Sequence, residues 1–199
     1  MLQLFFATFK HCILSNVHMN TEEVLINKVV KGDLFAFKQL IAQHERLVTH
    51  MIARIIDNEE DVKDISQEVF IKIFKNLAKF NFNAKLSTWI AQIAYRTAIN
   101  YATKHSGQKF ITFDDVEHHM VNYETPEHIL NAKNESEFLQ YHISRLPLHY
   151  KTVVTLYHLN GFAYHEIEEI TGMPEGTVKN YLFRARKLLK QQLEKHYTK

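Results

Sequence analysis

A single cysteine, Cys12, stands among 199 residues, with only 5 glycines and 3 prolines. One thiol excludes a disulfide within the chain and any cysteine-built metal cluster, and it suits a reducing cytoplasm. Few breakers leave long stretches in which a helix can run, which excludes collagen-like and low-complexity architectures. A Gly-rich phosphate loop and a nucleophile motif are both missing. The apolar run Leu2 to Phe9 is too short to span a membrane, and no basic residues precede it as they would in a secretory signal. Neither sign of charge is in large excess: 24 Lys and Arg face 22 Asp and Glu, a net of +2 with histidine neutral.

What is present is helical periodicity. The apolar fraction of 46% is ordinary for a soluble globular protein, and the length allows two domains of roughly 80 residues each. Apolar side chains recur at helical spacing, so the sequence predicts an all-α protein of two small helical domains joined by a flexible linker. Asn20 with Glu23 makes a capping box for a helix that starts just after Met19 and ends near Gly32. Met19 therefore reads as the natural start, and residues 1–20 as an N-terminal extension that need not be native, with an anchoring segment as the alternative.

Asp33 caps the next helix, a core helix whose apolar positions run from Phe37 through Leu40, Val48 and Ile52 to Ile55. A third helix, to about Leu77, opens on Asn58 with Glu59, Glu60 and Asp61 where the helix dipole favours negative charge. Its stripe of Val62, Ile65, Val69, Phe70, Ile73, Phe74 and Leu77 is expected inside. Ile71 points the opposite way among Asp64, Gln67, Glu68 and Lys75. An isolated exposed isoleucine is common, yet an apolar centre ringed by polar side chains is also how a protein contact is composed. Periodicity alone leaves both readings open.

A polar loop, Asn81 to Lys85, leads to a helix with Ser87 as its N-cap that runs to about Thr103. Ile90, Ile93, Ala94, Thr97 and Tyr101 share one face of it, and Gln92, Tyr95, Arg96 and Ile99 the other. Trp89 beside the first face reads as core. Over residues 104–125 periodicity fades and Asp114, Asp115 and Glu117 gather, which marks an acidic linker. Thr125-Pro126-Glu127 starts a helix that runs to about Leu146, and a further helix spans Leu148 to Asn160, closed by Gly161.

The balanced charge hides a strong local imbalance. From Lys179 onward the chain carries Lys179, Arg184, Arg186, Lys187, Lys190, Lys195 and Lys199 against Glu194 alone. Just before lies Thr171-Gly172-Met173-Pro174, where glycine ends one helix without a side-chain penalty and proline begins the next without losing a needed N–H. Ile167 and Ile170 give the first of these helices its buried side. In the second, Val178, Leu182, Ala185 and Leu189 fall on one face, Asn180, Phe183, Arg184 and Lys187 on the other, and Lys179, Arg186 and Lys190 on the flank. A helix-turn-helix lays its second helix in the major groove, which would present Lys179, Asn180, Phe183 and Arg184 to base edges. A merely solvated basic face is the competing reading, and the concentration of charge argues against it.

Thirteen histidines invite an enzyme reading. His165-Glu166 begins like the zinc-protease HExxH, but Glu169 stands where the second imidazole is needed. His118-His119 and His158 have no carboxylate or cysteine partner at ligand spacing, so no metal site, no catalytic residue and no cofactor is expected. One reading of the helix-turn-helix is a stand-alone transcriptional regulator that binds DNA by itself. It would need a ligand pocket or a phosphoacceptor receiver, and the N-terminal half shows neither Rossmann-like alternation nor an acidic site after a strand.

The run Glu166-Ile167, Gly172, Pro174 to Lys179, Phe183 to Arg186 and Leu188 resembles the C-terminal DNA-binding region of sigma factors of the extracytoplasmic-function family. Asp61 to Leu77 also resembles the sigma-factor helix that docks on the clamp of the largest RNA polymerase subunit, and Arg145 to Ile167 continues the likeness. The resemblance covers the chain from about Thr21 to its end. It implies that residues 21–103 are sigma region 2, which binds core polymerase and recognises and melts the downstream promoter element. Residues 104–125 are then the linker through the polymerase cleft, and 126–199 are sigma region 4, which recognises the upstream element. For site residues it implies Asp64, Gln67, Glu68 and Ile71 on polymerase, and Asn81, Asn83, Lys85, Tyr95 and Arg96 on the melted strand. Thr177, Lys179, Asn180, Phe183, Arg184, Arg186, Lys187 and Lys190 are then on upstream DNA. The implied partners are bacterial core polymerase, promoter DNA and an anti-sigma factor, all in the cytoplasm. Five departures stand out: Glu168 replaces a small residue, Thr171 a leucine and Phe82 a glycine, while Arg96 and Asn100 replace Asn and Asp.

Overall fold

The computed structural model describes residues 21–106 and 135–197. The described residues are all-α, as the periodicity predicts, with no strand among them. Helix α1 covers residues 21–30 and ends at Gly32, whose φ of 90° lies in the left-handed region that glycine enters freely. Asp33 then caps α2 (Leu34–Ile52), accepting from the Phe35 and Ala36 N–H groups. Asn58 caps α3 (Glu59–Asn76) in the same way, accepting from Glu60 and Asp61. The cap half of the expected box at Asn20 lies outside the described residues, as do residue 19 and those before it.

Helix α4 (Leu86–Ser106) starts one residue before the expected Ser87 cap, so Ser87 sits inside the first turn. It also runs past Thr103, which places the start of the expected linker inside a helix; from residue 107 the linker lies outside the described residues, with the Thr125-Pro126 helix start. In the second half, α5 (Glu135–Ser144) and α6 (Leu148–Val154) come first. The helix expected to continue to Asn160 loosens into a π-helical turn, Thr155–Leu159, before Gly161 reverses the chain at φ 73°. Helices α7 (Tyr164–Thr171) and α8 (Glu175–Tyr197) complete the chain.

Two cores result. The first joins α1 to α4 through Ile26, Val29, Leu40, Ile52, Ile73 and Ile90, all 3% exposed or less. Phe74, expected in this stripe, opens partly to solvent and lies against Phe37, ring centroids 4.9 Å apart. The second core gathers Val153, Leu156, Ile167, Ile170, Met173, Val178, Leu182 and Ala185 from α6 to α8. It also takes Met51 from α2 and Ala91 and Tyr95 from α4, so the two domains share a packed boundary. Helix α4 is therefore buried along two faces, with Ile90, Ala94 and Ala98 toward the first core and Ala91 and Tyr95 toward the second.

A polar seam lines this boundary. The Glu166 side chain is buried and accepts from the Thr88 hydroxyl at 3.1 Å and pairs with the Lys85 ammonium at 3.1 Å, while Gln92 donates to the Glu169 carbonyl. The same carboxylate accepts from the Ala163 N–H at 2.8 Å, the glutamate half of a capping box whose other half alanine cannot supply. Burial pushes the Glu166 carboxyl up, but the Ala163 N–H, Lys85 and Thr88 outweigh it and hold it below its ordinary value. The apolar contacts dominate: Met51 and Tyr95 contribute about 1.5–3 kcal/mol each on burial. A pair with a lysine 74% exposed contributes only about 0–1.

Exchanging the charged hydrogen bonds of Glu166 for neutral ones should cost about 1 kcal/mol. Glu166→Gln should lower urea-unfolding stability by that amount at neutral pH. Because the folded carboxyl is held low, its contribution is present above the ordinary carboxylate range and is lost as pH falls through the folded value. The gap between wild type and variant should close over that acid window, and a gap independent of pH would assign the loss to packing.

Candidate nucleic-acid and polymerase interfaces

Four side chains of α3 face outward together. Asp64, Gln67, Glu68 and Ile71 are spaced i, i+3, i+4 and i+7 and are all exposed, with Ile71 at 53% among neighbours Val69, Phe70 and Ile73 that are buried. Glu68 pairs with Lys72 at 2.7 Å on the same surface. Phe74, one turn beyond Ile71, extends the apolar centre of this face. Sequence reasoning put Phe74 inside because its position borders both faces, and only the packing of Phe37 decides how far it turns out.

The helix-turn-helix forms where the Thr171 to Pro174 turn predicts it. Gly172 takes φ 77° and its N–H bonds the Glu168 carbonyl at 2.7 Å, while Met173 drops fully into the core between the helices. On α8, Val178, Leu182 and Ala185 are buried, with Tyr181 beside them, and Leu189 is partly buried against the same core. Asn180, Phe183, Arg184 and Lys187 lie exposed on the opposite face, and Phe183 is 69% exposed. The ring puts an apolar centre among the polar side chains of this face.

The flanking cations are held differently. Lys179 pairs with Glu175 and lies over the Tyr164 ring, 5.3 Å from its centroid, and the Glu175 contact raises its ammonium above its ordinary value. Arg186 donates to His158 Nε2 at 3.1 Å and lies over Tyr157, and His158 is held low by burial and then by this guanidinium. Lys190 pairs loosely with Glu194 at 3.6 Å. Thr177 is half-buried near the start of the helix. The geometry thus separates a row without ion-pair partners among the described residues, Arg184 and Lys187, from three cations braced by neighbours.

The loop between α3 and α4 carries a strained residue. Phe82 adopts φ 58°, a region rare for bulky side chains, while its ring packs on Phe80 at 4.9 Å. Glycine, usual at this position in the family it resembles, would enter that region freely. The strain costs about 1–3 kcal/mol, and the ring contact offsets it only in part at about 0.5–1.5. Asn81, Asn83 and Arg96 are exposed, but Lys85 is tied to Glu166 and Tyr95 is 7% exposed within the second core. Burial pushes the Tyr95 phenol up to about 12. Four of the five thus face solvent, Lys85 with its ammonium paired to Glu166, and Tyr95 does not. Among the described residues no group of three or more metal-ligating side chains stands together.

Residues 40–108 match the family model of sigma-70 region 2, and residues 139–189 match that of sigma-70 region 4. The ECF RNA polymerase sigma-E factor of Haemophilus influenzae is 30% identical over 182 residues, spanning 87% of this chain and 96% of that protein. The sigma-E factor of Escherichia coli is 30% identical over 183 residues, and covers 87% of this chain and 95% of its own. Among solved structures, CnrH in complex with the cytosolic domain of CnrY shares the fold at a TM-score of 0.61 and 18% identity, covering 86% of this chain and 96% of that one. The sigma factor RpoE in complex with the anti-sigma factor NepR from Bartonella quintana does so at 0.58 and 17%, covering 79% and 96%. With both signature regions present in order and sigma-E relatives aligned across nearly their whole length, the chain belongs to the extracytoplasmic-function (ECF) family of RNA polymerase sigma factors.

Proposed function

We propose that this sigma factor divides promoter use between its two helical domains. As an alternative sigma factor it binds core RNA polymerase and directs promoter-specific initiation; it is not an enzyme, and bond making is left to the core. Residues 21–103 would act as region 2, 104–125 as the acidic linker and 126–199 as region 4, a division supported by the matched ranges 40–108 and 139–189. The single observation that carries the upstream-element reading is the exposed row Asn180, Phe183, Arg184 and Lys187, set opposite a fully packed face of α8. An anti-sigma factor is a further proposed partner, by analogy with the partnered RpoE. No described helix is long and apolar enough to cross a membrane, and we place the protein in the cytoplasm with the polymerase.

Asp64, Gln67, Glu68 and Ile71 would meet the polymerase clamp, and their face is open in the packed arrangement. The melted strand would meet Asn81, Asn83, Lys85, Tyr95 and Arg96. Of these, Tyr95 becomes available only when the second core leaves α4, whereas Lys85 is 74% exposed and has only to exchange its Glu166 partner. On upstream DNA, Arg184 and Lys179 suit guanine, Asn180 suits adenine and Phe183 a thymine methyl, with Lys179 exchanging its Glu175 partner for a base. Lys187 and Lys190 would meet phosphates, and Thr177 and Arg186 would support the helix at the backbone.

Run-off transcription tests the function directly. Added to sigma-free core polymerase, the protein should start transcription from a restricted set of host promoters, and silence from every one of them would overturn the reading. Ile71→Glu should weaken binding to core polymerase by a few kcal/mol at most, roughly the range of one interface side chain. Its circular dichroism and melting should match wild type, and a loss of fold would return Ile71 to the core. For α8, holoenzymes should be assayed on a panel of single-base promoter variants at two salt concentrations. Substituting Asn180 or Arg184 should change preference at particular positions by roughly 1–3 kcal/mol. Alanine at Lys187 or Lys190 should weaken all promoters alike and reduce the salt slope by roughly one phosphate each. Uniform losses from Asn180 and Arg184 would mean that another side of the helix faces the groove.

A further inference from the structure

The polar seam opens on one side into a cleft of about 790 Å³ between the two domains. Its floor is the end of α2, where Arg46 and His50 stand at i and i+4 on one face, and the turn that follows, which carries Arg54. Lys85 closes one wall, and Gln140 and Asn160 of the second domain close the other. Arg54 is half-buried and its guanidinium donates to the Gln140 carbonyl oxygen at 2.6 Å, a neutral partner. Among the described residues neither Arg46 nor Arg54 has an ion-pair partner. The one carboxylate lining the cleft, Glu166, is spent on Lys85, Thr88 and the Ala163 N–H. Burial first, then Arg46 and Arg54, hold the His50 imidazole below its ordinary value.

Arg46 and Arg54 flank His50, and half-burying Arg54 against a neutral partner, without a counter-charge, carries a desolvation cost. A fold keeps such a cluster when something neutralises it. We propose that the cleft is a binding site for a small phosphorylated molecule, with Arg46 and Arg54 as its anion ligands and Gln140 and Asn160 meeting its neutral polar groups. The volume is that of a small-molecule site, which falls at about 300–1,000 Å³ and favours boundaries between domains. Guanidinium groups bind phosphate through paired N–H donors, which a lysine cluster would not do. Because its ligands come from both domains, the bound molecule favours the packed arrangement over any in which α7 has left α4.

Isothermal titration of the full chain with inorganic diphosphate, at constant ionic strength and without divalent cations, tests the site. Saturable binding to one site is expected, weakened at least tenfold in Arg46→Gln and in Arg54→Gln and unchanged in the Lys187→Ala, Lys190→Ala double variant. Arg46 is exposed and makes no contact that holds the fold, so its variant keeps the test informative if loss of the Arg54 bond to Gln140 disturbs folding. Absence of saturation at millimolar diphosphate would overturn the proposal. Loss in the α8 double variant, with binding intact in the two arginine variants, would also overturn it and move the ion to the DNA face. Binding of oligoglutamate in place of diphosphate would overturn it in favour of an acidic peptide.

Discussion

The burial of α4 on two faces is the constraint on which the rest of the molecule depends. Small residues make it possible: Ala91, Ala94 and Ala98 let α2, α3 and α7 approach the same helix from different sides. Tyr95 then fills the space beside Met51 and joins the second core to the first half of the chain. A helix with one apolar stripe could serve only one domain. This one serves both, and the two domains pack directly against each other.

That packing sorts the surfaces of the sigma factor by availability. The face of α3 with Asp64, Gln67, Glu68 and Ile71 and the row of α8 with Asn180, Phe183, Arg184 and Lys187 are exposed and stay open. The α4 surface and its preceding loop are partly covered, through Tyr95 in the apolar boundary and Lys85 in the polar one. Apolar burial supplies most of the free energy of this contact, while Glu166 supplies its geometry, since one carboxylate caps α7 and fixes where Lys85 and Thr88 sit. In His165-Glu166, which resembles the opening of a zinc-protease motif in sequence, Glu166 is thus both cap and boundary residue, and His165 is exposed.

Local chemistry made much of the molecule legible. Asp33 and Asn58 cap the helices they precede because a short side-chain oxygen can reach the second and third N–H groups whatever the tertiary context. Gly172 and the α8 faces are equally local, one a matter of left-handed backbone and the other of 3.6-residue spacing. Ser87 failed as a cap because Leu86 is completely buried, and anchoring it draws the first turn back by one residue. The family's glycine at the position of Phe82 becomes intelligible only with the backbone in view: φ there is 58°, so the requirement concerns conformation and not contact.

By itself the sequence determined most of the described helices, the caps at Asp33 and Asn58, the turn at Gly172 and the outward faces of α8 and α3, because each depends on residues within about one or two turns of one another. The tertiary structure alone decided that Tyr95 and Ala91 belong to the second core, that Glu166 joins Lys85 across 81 positions (166 less 85), and that Arg46 and Arg54 share a cleft with Gln140. Those pairings link residues far apart in the chain, and no periodicity records them. They exist because the free energy of burying α4 on both sides exceeds what either domain gains from leaving that second face in water.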